Sequence, residues 1–191
     1  MASRFYLRST LTPGPLTLEG SEAHHLATVK RLRVGDRIYL FNGDGCEYPA
    51  LIESIHRRQI QLQIESIEQI DRELSFDLTV AVPLPKGDRA QFLVEKLTEI
   101  GVTRLIPLKT ERSVITPREA KMEKLQRWVI EASKQCGRNV LMEVDALQEW
   151  ESVCETSITR KLIAHPVPSS ELPLKEEQDT ILAIGPEGGW S

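Results

Sequence analysis

Five residues near the carboxyl end of the sequence, Gly185-Pro186-Glu187-Gly188-Gly189, follow the apolar run Ile181-Leu182-Ala183-Ile184. Glycine allows conformations closed to other residues and lets atoms approach the main chain, so a flat ligand can reach backbone N–H and C=O groups directly. Pro186 fixes its own φ and lowers the entropy lost when the loop orders. Neither phosphate-loop pattern is present: there is no G-x-x-x-x-G-K-[ST] and no G-x-G-x-x-G. No lysine lies close in sequence, and Glu187 would repel a phosphate, so a ligand with a cationic or uncharged face suits this loop better. Standing alone, the same letters also describe a turn that does nothing but pack tightly. A metal pair and zinc or disulfide scaffolds are not expected. His24 and His25 are neighbours that point apart on a helix, and Cys46, Cys136 and Cys154 are odd in number, far apart and without a C-x-x-C pair.

The elements that must position the loop alternate between strand and helix. FDLTVAVPL is a nearly continuous apolar run, as for a strand buried on both faces. GDRAQFLVEKLTEIGV reads as a helix with Ala90, Leu93, Val94, Leu97 and Ile100 on one stripe and Gly101 ending it. TRLIPL is the next strand. Thr116-Pro117-Arg118-Glu119 is a capping box opening a long helix with Met122, Leu125, Val129, Ala132 and Cys136 on its core face. A short strand near MEV, a helix around LQEWESVC and strands RKLIAH and TILAIG complete the pattern. Such alternation predicts a parallel sheet covered by helices on both faces, with ligands beyond the carboxyl ends of the strands where their order switches.

The first seventy residues follow a different rhythm. RFYL and PLTLEG are short strands, and SEAHHLATVKRL is a helix with Ser21 as N-cap. RIYLF meets a hairpin signal at Asn42-Gly43-Asp44-Gly45. YPALIESIH and QIQLQIESI form a second hairpin across His56-Arg57-Arg58, with Ile60, Leu62 and Ile64 on one face. The reading is a small β-barrel over residues 1–70, a polar linker at SIEQIDRELSF and an α/β domain over 71–191. Composition is that of a globular protein, with 40% hydrophobic and 27% charged residues. No apolar stretch is long enough for a transmembrane helix, and MASRFYLRST lacks a signal peptide's apolar core; with the cysteine usage this suggests a cytoplasmic protein. The net charge of −4 is uneven: Lys86–Arg138 holds twelve Lys/Arg against seven Asp/Glu, and the remainder after Arg138 three against ten. Two mildly basic regions, this one and the first 58 residues, are compatible with phosphate contacts.

RFYL, HHLATVKRLRVGD, K-G-D-R…EKLTEIGV, TERS, EASKQCGRN and IGPEGG, in this order, resemble the ribosomal RNA small subunit methyltransferase E group of the SPOUT (trefoil-knot) superfamily. The resemblance runs over essentially the whole chain. It implies a PUA-like β-barrel that binds RNA, then a Rossmann-like methyltransferase domain. The activity it implies is methyl transfer from S-adenosylmethionine to uracil N3 in 16S ribosomal RNA of the small ribosomal subunit, by a cytoplasmic homodimer using no metal. One departure matters: family members continue past GPEGG with a helix, a strand and a segment that threads back to make the knot. On that comparison the methyltransferase domain is expected to be incomplete at its carboxyl end, and the piece alone inactive.

Roles follow by the same resemblance. Ile184, Gly185, Pro186, Glu187, Gly188 and Gly189 would form one cofactor wall through their backbone, and His165-Pro166 another, although a histidine ending a strand before proline needs no ligand to explain it. Uracil N3 must lose its proton, and Arg138 in QCGRN and Arg112 in TERS would stabilise the anion developing on the flanking carbonyls. An arginine at a helix end also serves as a dipole complement. Glu99 fits a solvated helix face as well as any catalytic role. The target base must be extruded from folded RNA, and the barrel is the natural second grip, with Arg4, Arg8, Lys30, Arg31 and Arg33 on phosphates and Arg57-Arg58 adding to it. Trp128 and Trp150 read as packing residues. Two other functions stay open at this level: a non-catalytic RNA-binding protein that keeps the barrel, and an α/β enzyme using the glycine loop for an unrelated adenine-containing ligand.

Overall fold

The computed structural model describes residues 3–20, 23, 32–56, 59–110, 119–158, 160–165, 177–186 and 189–190. They divide into two compact units, one of Met1–Arg72 with Ser133–Val140 and one of Glu73–Ala132 with Leu141–Ser191.

The first unit is built on a six-stranded mixed sheet. Its strands are β1 (Arg4–Tyr6), β2 (Gly14–Glu19), β3 (Arg37–Phe41), β4 (Cys46–His56), β5 (Gln59–Ile64) and β6 (Glu68–Gln69). The order is β1-β3-β4-β5-β2, with β6 beside β4. Only β1 and β3 run parallel, Arg4 facing Tyr39. Ile60, Leu62 and Ile64 on β5 are buried while the glutamines between them are not, so the period-two pattern settles the register. These three join Phe5, Leu18, Ile38, Leu40, Ala50 and Ile52 in one core. Glu68–Gln69, expected within a linker, pairs with Cys46 and Glu47 instead. The helix expected over Ser21–Leu32 lies almost wholly outside the described residues, as does the Arg57-Arg58 hairpin tip.

The hairpin at Asn42–Gly45 is held by its own side chains. Gly43 and Gly45 take φ of 98° and 88°. The Asp44 N–H donates to Asn42 Oδ1 at 3.1 Å, Cys46 N–H to Asp44 Oδ1 at 2.9 Å, and the Tyr48 hydroxyl to Asp44 Oδ2 at 2.6 Å. Burial raises the Asp44 carboxyl, but the bonds from Tyr48, Cys46 and Asn42 outweigh it and leave the pKa below its ordinary value. A carboxyl depressed in the folded state stabilises at pH above its unfolded pKa, and that stability disappears as pH falls through the folded value. In Tyr48→Phe the acid-induced loss of β circular dichroism is therefore expected to begin at a higher pH than in the parent. An acid limb that stays in place would show that the hydroxyl contributes nothing.

The second unit is an all-parallel sheet. Its elements are β7 (Leu78–Val82), α1 (Asp88–Glu99), β8 (Arg104–Lys109), α2 (Glu119–Cys136), β9 (Glu143–Val144), β10 (Gln148–Glu149), α3 (Trp150–Cys154), β11 (Arg160–Ala164) and β12 (Thr180–Ile184). The last turn of α2, from Ser133, groups with the first unit. Strand order is β10-β8-β7-β12-β11, with β9 also on β8. Alternate residues face opposite ways. Val80, Val82 and Leu105 pack with Val94 and Leu97 of α1 and Leu125 and Val129 of α2. Ala81, Ile106, Leu108 and Ile181 pack with Val153 of α3 on the other face. Helices on both faces are as expected.

Three local expectations fail. Ile100 is 60% exposed, because the chain leaves the α1 screw through Gly101, whose φ is 89°. Thr98 is buried instead, its hydroxyl satisfied by Val94 O at 2.8 Å. Cys136, the last residue of α2, is exposed. The helix around LQEWESVC begins only at Trp150, since Gln148 and Glu149 extend the sheet against Leu108 and Lys109.

Candidate active site

Parallel strands bring their carboxyl ends to one edge of the sheet. From β7 the chain builds outward through β8, then returns to insert β12 on the opposite side of β7, with β11 beyond it. The order thus switches between β7 and β12, and the glycine loop leaves β12 at that point. Register keeps the exits level: Ala164 faces Ile184, and Ala183 faces Ala81. His165 and Gly185 are therefore the next residues on two adjacent strands. His165 is exposed, while Ile184, Gly185 and Pro186 are half-buried. Gly189 N–H donates to Pro186 O at 2.8 Å, with Gly189 at φ 75°. Glu187, Gly188 and Pro166 lie outside the described residues.

Trp190 then folds back over the start of the loop. Its indole N–H donates to Ala164 O at 3.2 Å, and its ring lies 4.7 Å from that of Trp150, tilted by 50°. A Cβ on Gly185 would come within 2.9 Å of Trp190 Nε1. Absence of a side chain at Gly185 thus makes room for the indole, whereas Gly189 is open to its surroundings. Together the edge offers main-chain donors and acceptors, an indole and an imidazole, which can hold a flat polar ligand by shape and backbone hydrogen bonds. Sequence reasoning left Trp190 without a role; its place directly after the paired glycines was the available signal.

The candidate arginines are placed differently from one another. Arg138 is buried, 4% exposed, just after Gly137 ends α2 with φ of 88°. Arg112 lies outside the described residues, as do Lys30 and Arg31. Arg8 and Arg33 are exposed. Arg4 is not a free surface cation: its side chain is 10% exposed, pairs with Glu47 and donates to Arg138 O at 3.3 Å and Asn139 Oδ1 at 2.6 Å. Burial first, then the charge of Arg72, lowers the Arg4 pKa to about 10. Glu47, Arg72 and Asn139 had no assigned role in the sequence reading; Glu47 was detectable as an acid inside the apolar strand CEYPALI. Glu99 is a helix-surface partner of Lys96 at 2.6 Å. Trp128 and Trp150 pack against the two cores of the second unit, as expected. Among the described residues no three His, Cys, Asp or Glu side chains gather as a metal site, and no helix is long and apolar enough to cross a membrane.

Two family models match the chain, an RNA methyltransferase PUA domain over residues 18–65 and an RNA methyltransferase domain over 72–191. The chain belongs to the RNA methyltransferase family. Among members of the family, a Synechocystis protein named ribosomal RNA small subunit methyltransferase E is 32% identical over 189 residues. The match takes in 92% of this chain and 60% of that one, so the chain spans less than two thirds of that relative's length. A Bacillus subtilis protein of the same name is 27% identical, with 91% and 74% covered. A Legionella pneumophila protein described as a methyltransferase, solved with bound SAM, superposes with a TM-score of 0.90 at 32% identity, covering all of this chain and 82% of that one. Ribosomal RNA small subunit methyltransferase E of Neisseria gonorrhoeae, bound to S-adenosyl methionine, gives 0.88 at 26%, with 100% and 82% covered. The fold is thus a PUA-like domain with a Rossmann-like methyltransferase domain of the SPOUT superfamily, as the sequence implied.

Proposed function

We propose that this RNA methyltransferase transfers a methyl group from S-adenosylmethionine to uracil N3 of 16S ribosomal RNA in the small ribosomal subunit. One observation carries the reading: the glycine loop leaves the sheet at its order switch, in a chain whose relatives in the solved structures hold S-adenosylmethionine. The residues present suit that cofactor. Gly185 and Gly189 carry no side chain to screen their main chain, Trp190 and His165 supply flat surfaces, and no described loop residue carries a positive charge to oppose a sulfonium. When bound, S-adenosylmethionine supplies an electrophilic methyl carbon on a cationic sulfur.

This chain's residues hold, orient and neutralise. Ile184, Gly185, Pro186, Glu187, Gly188 and Gly189 would hold the cofactor through the backbone, with His165-Pro166 as a second wall, and would fix the donor for in-line attack. Uracil N3 would lose its proton to solvent and take the methyl carbon as that carbon's bond to the cationic sulfur breaks, leaving the neutral thioether S-adenosylhomocysteine. Arg138 and Arg112 stabilise the negative charge on the flanking carbonyl oxygens as the proton leaves. Arg8, Lys30, Arg31 and Arg33 hold phosphates of the RNA, with Arg57-Arg58 as a further grip, while Arg4 serves inside the first unit. The active species is a cytoplasmic homodimer.

Mass spectrometry of small-subunit RNA incubated with the full-length protein and S-adenosylmethionine tests the reaction. N3-methyluridine at one position is the expected product. Retained RNA affinity without methyluridine or cofactor binding would make the protein a non-catalytic RNA binder. With four to six phosphate contacts, the log–log dependence of RNA affinity on salt should have a slope of roughly −3 to −5.

A further inference from the structure

We infer that Arg4, Glu47 and Arg72 form a positioning clamp for the turn Gly137-Arg138-Asn139, holding the main chain that carries Arg138 during methyl transfer. This rests on the proposed role of Arg138 at the developing uracil anion.

Three consecutive carbonyls of the turn are each held by a different donor. Gly137 O accepts from Arg72 Nη1 at 2.8 Å, Arg138 O from Arg4 Nη2 at 3.3 Å, and Asn139 O from the Gly45 N–H at 3.4 Å. Arg4 also binds Asn139 Oδ1 at 2.6 Å, and the Asn139 amide donates to Ile70 O at 3.5 Å. Glu47 ties the two guanidinium groups together, pairing with Arg4 Nη1 and lying 3.6 Å from Arg72 Nη2. The Arg4 guanidinium sits 5.0 Å from the Phe41 ring centroid, which closes its remaining face.

A helix end needs none of this for stability. Gly137 already terminates α2 in the left-handed conformation, its N–H on Ser133 O at 3.0 Å, and water can satisfy the carbonyls that a helix end leaves over. Here two cations share one acid whose side chain is 5% exposed, and buried Arg4 Nε has no partner. Buried charge set out in this way is unfavourable for folding, and such local violations gather where function demands a fixed geometry. The clamp therefore predicts an effect on the chemical step. A phosphate-binding Arg4 would instead act on RNA affinity.

Steady-state methyl transfer to small ribosomal subunits, with labelled S-adenosylmethionine, separates the two in Arg4→Lys. Lysine keeps the charge and three donors but gathers them on one nitrogen, so it cannot reproduce the fork in which Nη1 meets Glu47 while Nη2 meets Arg138 O and Asn139 Oδ1. Expected is a fall in kcat of about ten- to a hundredfold, as for a slightly displaced catalytic group, with KM for RNA within about twofold. A raised KM and a shallower salt dependence with unchanged kcat would make Arg4 a phosphate contact and overturn the clamp. So would parent-like values of both. Should Arg4→Lys not fold, Asn139→Ala, which removes the 2.6 Å acceptor of Arg4 together with the 3.5 Å donor to Ile70 O, is expected to lower kcat in the same way, and an unchanged kcat there overturns the clamp equally. A full-length parent protein that methylates nothing sinks the underlying reading and the clamp's role with it. An active parent with indifferent variants overturns the clamp alone.

Discussion

Replacing Gly185 by alanine is expected to weaken S-adenosylmethionine binding by about ten- to a hundredfold and to leave the sheet folded. Gly185 does not take a left-handed φ, so alanine meets no backbone strain there. Its methyl group instead falls 2.9 Å from Trp190 Nε1, 3.0 Å from Cε2 and 3.2 Å from Cδ1. Forcing carbon into a filled position costs about 1–3 kcal/mol. The indole can yield only by giving up its bond to Ala164 O and its place against Trp150. Both define the shape of the loop that the cofactor is proposed to meet, so the cost falls on affinity at about 1.4 kcal/mol per tenfold. Calorimetric titration measures it, and tryptophan fluorescence reports the displaced ring pair. An affinity equal to the parent's would show that the loop at Gly185 takes no part in holding the cofactor.

The second large effect is on stability. Glu47→Ala is expected to destabilise the first unit by about 3–5 kcal/mol in denaturant unfolding, because it leaves the buried Arg4 cation without its acid. Glu47 and Arg4 side chains are 5% and 10% exposed, so water does little to replace the lost partner. The double variant Arg4→Met with Glu47→Leu removes both charges together and should recover most of the loss, since apolar replacement of a buried pair is close to neutral. If Glu47→Ala unfolds at the parent's denaturant concentration, the pair is more hydrated than its burial indicates. The double variant also separates stability from catalysis: it should fold well yet transfer methyl groups slowly, lacking the donor to Arg138 O.

Most of the architecture was legible because periodicity reports burial directly. QIQLQI can bury Ile60, Leu62 and Ile64 on one face only as a strand, and it does. The stripe on α1 was legible in the same way except at its last member. Ile100 falls where Gly101 turns the chain, and helical periodicity does not carry the point at which the helix stops. Gln148 and Glu149 were misread because two residues carry no period; their pairing with β8 decides them.

By itself the sequence determined the alternation of strands and helices, the glycine loop after the last strand and the family motifs that carry the resemblance. These are local in the chain, and local chemistry records them. Only the tertiary structure decided that β12 inserts beside β7, which sets the loop at the switch in strand order. It alone decided that Arg4 belongs with Glu47, Arg138 and Asn139, partners as many as 135 positions away. The reason is physical: a charge written in a sequence says nothing about how much water surrounds it, and only packing among distant segments determines whether an arginine faces a phosphate or a buried carboxylate.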